Sequence, residues 1–358
     1  MKKLFLTLKI LAAVIAVLFV VVLAYLLYVI CSYERLPDKL DCNIDRAECG
    51  ERAELGKEYT IVTQNIGFGA YTPEFTFFMD GGEESRAESL DSVLDCIDKA
   101  GDRIESLSPD FVLFQEVDLD STRSFHTDQY ALLRERFGAY CSTYAQNYDS
   151  AYLMYPIFEP HGASKSSLAT FSNINITSSM RRSLPISTSF SKFLDLDRCY
   201  SVSRIEVEGG KELLLYNVHS SAYGGNDEIR HAQMTMLLED MESEYKKGNY
   251  IVCGGDFNHD FTGNSVLDLN GYEEEHGWAQ PFPAEYIPEG FSRCIDYKDG
   301  ALVPTCRNCD IPYEEGNFAL IVDGFIVSDN VECIEVENID TDFEYSDHAP
   351  VRMVFKLK

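Results

Sequence analysis

Four short stretches of this chain combine residue types that suit hydrolysis at phosphorus. Gly254-Gly255-Asp256-Phe257-Asn258 directly follows the apolar run Tyr250–Cys253. Two glycines there allow close backbone approach. In extended backbone Asp256 and Asn258 face the same way, pairing a carboxylate with an amide donor. An attacking water needs an acceptor, and a phosphoryl oxygen needs a donor, so the pair fits both tasks. A turn with side-chain-to-backbone hydrogen bonds would use the same residues.

Phe114-Gln115-Glu116-Val117 ends another apolar run with a polar pair. A carboxylate in that place is a candidate Mg2+ ligand, because the ion takes one or two protein carboxylates and keeps several waters. Tyr345-Ser346-Asp347-His348-Ala349-Pro350 precedes the last apolar run. His348 is a candidate general base, since histidine titrates near neutrality. Asp347 points the other way in extended chain, so the carboxylate that orients His348 should come from elsewhere. Asp323, after Ala319-Leu320-Ile321-Val322, is the choice. His219 closes the run Leu213–Val218 and is a candidate donor to a phosphoryl oxygen. Each of these residues, taken alone, could equally be a solvated or hydrogen-bonded strand end.

The elements that must position them come from patterning. Tyr59–Val62, running on through Asn65, reads as a strand. A helix is expected from near Ser85, with Ser85-x-x-Glu88 as a capping box and Ala87, Leu90, Leu94, Ile97 and Ile104 as its apolar stripe. Ser108-Pro109-Asp110 stops it. Phe111–Phe114 is continuously apolar, as in a strand buried on both faces, which makes a parallel crossover unit with the first strand. Ser167–Ser172 is a further strand. Tyr200–Glu208 and Lys211–His219 flank Gly209-Gly210, a strong hairpin signal. A helix capped at Asn226 or Asp227 carries Ile229, Ala232, Met236, Leu237, Met241 and Tyr245 on one face and ends at Gly248. Phe318–Val327 and Val351–Leu357 are the last strands. Hairpins mixed with crossovers predict an α/β fold of mixed sheets covered by helices.

The ordered set Asn65, Phe114-Gln115-Glu116, Asn217-Val218-His219, Gly255-Asp256-Phe257-Asn258, Asp323-Gly324-Phe325 and Ser346-Asp347-His348 resembles the endonuclease/exonuclease/phosphatase superfamily. That group includes deoxyribonucleases, inositol-polyphosphate phosphatases and neutral sphingomyelinases. The likeness runs from about Tyr59 to the C-terminus. It implies a four-layer α/β sandwich, two mixed β-sheets face to face and flanked by helices. It also implies that Glu116, with Asn65, holds Mg2+ or Mn2+ and that Asp347 lies near the metal. Asp256 would position or deprotonate the water, and Asn258 would hold that water or a phosphate oxygen. His348, oriented by Asp323, would be a second base candidate or a phosphate ligand, and His219 would stabilise phosphoryl charge. Tyr223 and Arg230 are weaker substrate-binding candidates; Arg230 could also be an ordinary helix-surface charge. The family usually places Tyr or Arg after the orienting aspartate, whereas this chain has Gly324. The segment Tyr152–Phe171 bears a loose likeness to the lipid-phosphodiesterase branch, and the long insert 273–316 is expected to shape substrate access.

Residues 10–30 carry no charged side chain and would span about 31 Å as a helix, enough for a bilayer core. Lys2, Lys3 and Lys9 precede them, which favours a cytoplasmic N-terminus and an exported remainder. A cleaved signal peptide is the rival reading, against which stand the length of the run and the lack of a small-x-small site. The expected organisation is a cytoplasmic N-terminus (1–9), a single-pass transmembrane anchor (10–30), a stalk (31–56) and an extracytoplasmic catalytic domain (57–358).

The net charge is −29, and because the first thirty residues hold three lysines and no acid, the rest carries −32. A surface that acidic repels polyanions, and no Lys/Arg cluster offsets it. The resulting expectation is a membrane-anchored, metal-dependent phosphoester hydrolase acting on a lipid headgroup or a small phosphorylated molecule. A nuclease is the alternative within the same chemistry, and a non-catalytic binding module on the same fold is the alternative outside it. Of the eleven cysteines, Cys42–Cys49 and Cys306–Cys309 are candidate local disulfides, with half a zinc site as another reading of Cys306-x-x-Cys309.

Overall fold

The computed structural model describes residues 2–358 apart from 34, 48, 190–191, 193–196, 223–226, 272–277, 279, 297–301 and 315. Helix α1 (Lys2–Ser32) is followed by the short strands β1 (Leu40–Asp41) and β2 (Ile44–Asp45). Then come β3 (Glu58–Asn65), α2 (Leu90–Ser106), β4 (Phe111–Asp118) and α3 (Gln129–Arg136). Five strands succeed them: β5 (Cys141–Asp149), β6 (Lys165–Ser172), β7 (Ile176–Ser183), β8 (Cys199–Val207) and β9 (Lys211–His219). Helix α4 (Asp227–Tyr245) leads to β10 (Tyr250–Asp256), and the pieces β11 (His259–Asp260), α5 (Ser265–Asn270), β12 (Gln280–Pro281), β13 (Phe291–Cys294), β14 (Cys306–Arg307) and β15 (Ala319–Leu320) follow. The chain closes with β16 (Asp323–Ser328), β17 (Val331–Asn338) and β18 (Val351–Leu357).

Two seven-stranded sheets dominate, ordered β1-β7-β8-β9-β10-β16-β13 and β17-β18-β3-β4-β6-β5-β2. Both are mixed: β9–β10 and β3–β4 are parallel pairs and the remaining ladders of these two sheets are antiparallel. Strand alternation sorts the core into three layers. Ile61, Phe111, Leu113, Leu213, Leu215, Val252 and Phe325 fill the space between the sheets. Val62, Val112 and Phe114 face outward, against Val93, Cys96 and Ile97 of α2 and Leu133 of α3. Leu214, Tyr216 and Ile251 face the other way, against Met234, Leu237 and Met241 of α4. The central strands read as unbroken apolar runs because both their faces are covered.

Several local expectations shift. Helix α2 starts at Leu90, not Ser85: Ser89 is the cap and accepts from the Ser92 N–H, while the Ser85 hydroxyl donates to the Glu159 carbonyl. Its buried face is Val93, Cys96, Ile97, Ala100 and Ile104, and Leu90 and Leu94 are exposed. On α4 the buried set is Met234, Leu237, Leu238 and Met241, with Ala232 outside. The run 318–327 is broken after Leu320, because the Ile321 N–H bonds the Ser265 hydroxyl and the Val322 and Asp323 N–H groups bond the Thr305 hydroxyl instead of a strand.

The segment read as a stalk is stitched onto the domain from Arg35 onward. β1 pairs with β7 of one sheet and β2 with β5 of the other. A disulfide joins Cys49 to Cys141 across 92 residues. Cys42, Cys306 and Cys309 are therefore free thiols, and neither local disulfide forms. Helix α1 is long and apolar enough to cross a membrane.

Candidate active site

Strand register brings the site together. In the first sheet Asp256 pairs with His219 on one side and with Asp323 on the other, so three strand ends stand side by side. In the second sheet Asn65 pairs with Gln115, and Glu116 follows. Ser346-Asp347-His348 leads into β18, which lies beside β3. The two sets meet where the sheets end, in a cleft of about 810 Å3 counting its open mouth.

Close contacts knit the floor. The Asp256 Oδ2 accepts from the Asn65 amide at 3.1 Å and from the Asn258 amide at 3.2 Å. His219 Nε2 lies 3.2 Å from the same oxygen. The Asp256 Oδ1 accepts from the Asn258 backbone N–H at 2.9 Å. His348 Nδ1 donates to Asp323 Oδ2 at 2.8 Å, and its Nε2 is 3.8 Å from Asp256 and 4.0 Å from Asp347. Beneath, Gln115 donates to Asn217 at 2.8 Å, tying one sheet to the other.

The backbone is shaped for this. Glu116 (φ 55°) and Asn258 (φ 49°) adopt left-handed conformations, costly for non-glycine residues and retained where the surroundings enforce them. At Glu116 the ladder to β6 slips between Phe114 and Val117, which turns the carboxylate toward the cleft, 4.0 Å from His219 Nε2. Gly255 is required by close approach, since a Cβ there would sit 2.0 Å from the Val218 carbonyl oxygen. Gly324, where the family usually has a larger residue, is likewise forced: its Cβ would meet the Phe261 ring at 2.4 Å.

The two histidines are held in opposite states. Burial opposes protonation of His348, but the Cys306 sulfur and the carboxylates of Asp323, Asp256 and Asp347 outweigh it and keep its pKa well above the usual value. Burial, then Arg198, His348 and Arg123, push His219 well below it. The His219–Asp256 approach of 3.2 Å is thus between a neutral imidazole and a carboxylate, not an ion pair. Burial lifts Asp256 to about 6 against the pull of His348. Burial lifts Asp347 to about 7, with His348 opposing and Glu116 adding to the rise.

Those acidic groups bear on a metal. Asp256, Asp323 and His348 offer ligand atoms within 4.8 Å of one another, but Asp323 and His348 already bond each other. Glu116 and Asp347 both line the cleft, and the Glu116 carboxylate raises the cost of charge on Asp347. A divalent cation would relieve that repulsion, and oxygen donors suit Mg2+ or Mn2+. The residues present therefore fit the ion, with Glu116, Asp347 and the Asn65–Asp256 pair as its candidate surroundings.

Residue types match a whole family. The sequence pattern of the Endonuclease/Exonuclease/phosphatase family fits residues 62–348. This chain belongs to that family. Solved members share its fold at low identity. An endonuclease/exonuclease/phosphatase from Beutenbergia cavernae is 16% identical over 84% of this chain and 72% of its own, with a TM-score of 0.57. ANGEL2, described as a 2′,3′-cyclic phosphatase and solved with adenosine-2′,3′-vanadate, is 14% identical over 89% and 99%, TM-score 0.55. A Bacteroides vulgatus member is 18% identical over 84% and 100%, TM-score 0.53. No curated protein matches the chain by sequence. Membership supports a hydrolase of phosphoester bonds, in a family whose enzymes are generally dependent on divalent metals.

Of the eight floor residues named from the sequence, Glu116, His219, Asp256, Asn258, Asp347 and His348 line one cleft, and Asn65 and Asp323 lie behind it, bonded to Asp256 and His348. Tyr223 lies outside the described residues. Arg230 is buried, not a surface charge, and donates to the carbonyls of Ala222 and Trp278, which line the cleft. Three arginines of the cleft were missed. Arg123 is bonded to Asp118 at 2.8 and 3.0 Å and lies 3.7 Å from Glu116. Arg198 and Arg307 are buried, and the Nε and Nη1 of each have no hydrogen-bond partner among the described residues. A signal for Arg198 existed: the Gly209-Gly210 hairpin sets Cys199 opposite His219, so the residue before that strand falls beside the site.

Proposed function

We propose that this protein is a membrane-anchored phosphoesterase that uses water as nucleophile and Mg2+ or Mn2+ as cofactor. The favoured substrate is a lipid headgroup or a small phosphorylated molecule. The supporting observation is the Asp256 carboxylate bonded by Asn65 and Asn258, with His219 Nε2 3.2 Å away and the Asp323-bonded His348 3.8 Å away. Asp256 accepts the proton of the attacking water, and its fixed hydrogen bonds keep it oriented for that. Asn258 holds the water or a phosphoryl oxygen. His348, its Nδ1 held by Asp323, presents Nε2–H to a phosphoryl oxygen, and His219 donates as a neutral imidazole. Arg198 and Arg307 bind the remaining anionic oxygens through their unpartnered nitrogens. Glu116 and Asp347 would hold a divalent cation, which would supply Lewis-acid stabilisation of phosphoryl charge.

The −32 charge of the chain beyond residue 30 argues against nucleic acid. The full chain in mild detergent should hydrolyse bis(p-nitrophenyl) phosphate with added Mg2+ or Mn2+ and lose the activity in EDTA. The same ions should raise its thermal unfolding midpoint, a readout independent of turnover. Plasmid DNA cleaved faster than either the aryl diester or a phospholipid micelle would replace this reading with a nuclease. An ion-stabilised protein with no turnover on any of the three would leave a binding module.

A further inference from the structure

The loop between β5 and β6 carries Ala151-Tyr152-Leu153-Met154-Tyr155-Pro156-Ile157-Phe158, eight residues without a charge. Phe158 is 100% exposed, Ile157 77%, Tyr155 66% and Met154 55%. Its shape is held. Leu153 and Gly162 exchange backbone hydrogen bonds at 3.0 Å, and the His161 N–H bonds the Tyr155 carbonyl at 3.1 Å. Glu159, the first acid after the tip, is tied back to Arg86 and to Ser85. A held loop that presents large apolar side chains outward marks an interaction surface.

Its neighbour identifies the partner. The Tyr25 hydroxyl of α1 donates to the Tyr152 carbonyl at 3.2 Å and accepts from the Met154 N–H at 3.0 Å. The Tyr28 hydroxyl accepts from the Tyr152 N–H at 3.1 Å. Tyr25 and Tyr28 lie five and two residues before Ile30, the end of the uncharged run, so about 8 and 3 Å inside it along a helix axis. Tyrosine favours that level of a bilayer, where one end is apolar and the other wet. The same hydroxyls satisfy backbone groups of the loop that would otherwise be costly to remove from water.

The loop also reaches the cleft. The Tyr155 ring is 5.7 Å from Phe78, which is 5.0 Å from Phe77 and 6.1 Å from His161. Phe77 and His161 line the cleft wall.

We propose that the tip 152–158 enters the membrane interface alongside the last turns of α1 and sets the cleft against the bilayer, so that the phosphoester hydrolysed is one carried by a lipid. This rests on the phosphoesterase reading and on α1 spanning the membrane. The lipid stays in its leaflet while its headgroup enters the cleft.

Two measurements on the full chain test it. In phosphatidylcholine nanodiscs with acyl chains brominated close to the headgroup, Phe158→Trp should show strong extra quenching over the wild type, whose one tryptophan is Trp278. No extra quenching overturns the insertion, whatever the activity. In phosphatidylcholine vesicles containing sphingomyelin, the Ile157→Ser/Phe158→Ser double variant should lose about tenfold or more of its lipid turnover. Its rate on bis(p-nitrophenyl) phosphate should stay that of the wild type. Equal rates on vesicles, or soluble turnover with no hydrolysis of either lipid, overturn the lipid assignment. Quenching without turnover of any substrate leaves the insertion standing and removes the phosphoesterase reading beneath it.

Discussion

On the floor of the cleft Asp256 receives side-chain hydrogen bonds from Asn65 and Asn258 with His219 Nε2 3.2 Å away, whereas on its rim Arg198 and Arg307 each leave two guanidinium nitrogens without a hydrogen-bond partner among the described residues. Floor residues sit at the ends of β3, β4, β9, β10 and β16 or at the entry to β18, where ladder register fixes them. Of the rim residues, Arg198 immediately precedes β8 and Arg307 lies in the two-residue β14, outside the two large sheets. A buried polar group without a partner is expensive, so the rim is complete only with an anion in it. On the floor the buried polar atoms without a partner among the described residues are His219 Nδ1 and Asp323 Oδ1, neither of them a cationic donor. On the proposed function, that difference puts the reaction on the floor and the choice of phosphoester on the rim.

The largest effects should come from the floor and should not depend on substrate. Asp256→Asn removes the acceptor and His348→Ala removes the charged donor. Each should lower kcat about a hundredfold or more on every phosphoester tested. A loss confined to one substrate would dissolve the distinction. Arg198→Gln should act the other way, raising KM about tenfold or more on charged diesters with kcat nearly kept, as expected for one charge-assisted contact. A fall in kcat with KM unchanged would move Arg198 onto the floor.

The same division explains what the sequence discloses. Asp256, Glu116 and His219 stand at the ends of apolar strands and Asp323 follows the apolar run 319–322, and a polar side chain after a buried run is visible without a structure. The two-sheet core was legible for the same reason: runs such as Leu213–Val218 are apolar throughout because both faces are covered. Arg123 and Arg307 have no such context. Their neighbours in sequence are polar, and only the packing of Phe68 and Tyr313 against the two guanidiniums shows their place. The Cys49–Cys141 bond was hidden because its partners are 92 residues apart, and nothing local distinguishes Cys49 from Cys42. The start of α2 was misplaced because Ser85 and Ser89 both offer a cap, and tertiary contact with Glu159 takes the first.

The smallest effect tests the rim's own titrating group. His161 is buried, and burial, then Arg123, lower its pKa to about 4, although the Ser85 carbonyl 3.0 Å from its Nδ1 works against them. The folded chain therefore takes up this proton only near pH 4, while the unfolded chain takes it up near 6.5. Below about pH 6.5 the unfolded state binds more protons, so stability falls on acidification until the folded group titrates as well. His348, held charged on the floor, has the opposite sign. His161→Gln keeps a donor for the Ser85 carbonyl and removes the titration. Urea unfolding of the full chain in mild detergent should show the variant less stable than the wild type at pH 7.5, with the gap closing toward pH 4.5. Turnover at saturating substrate and pH 7.5 should scarcely change, because the imidazole touches no group of the floor. A stability gap that is the same at both pH values would mean that His161 is not held neutral, and the contrast between a charged floor histidine and a neutral rim one would fail.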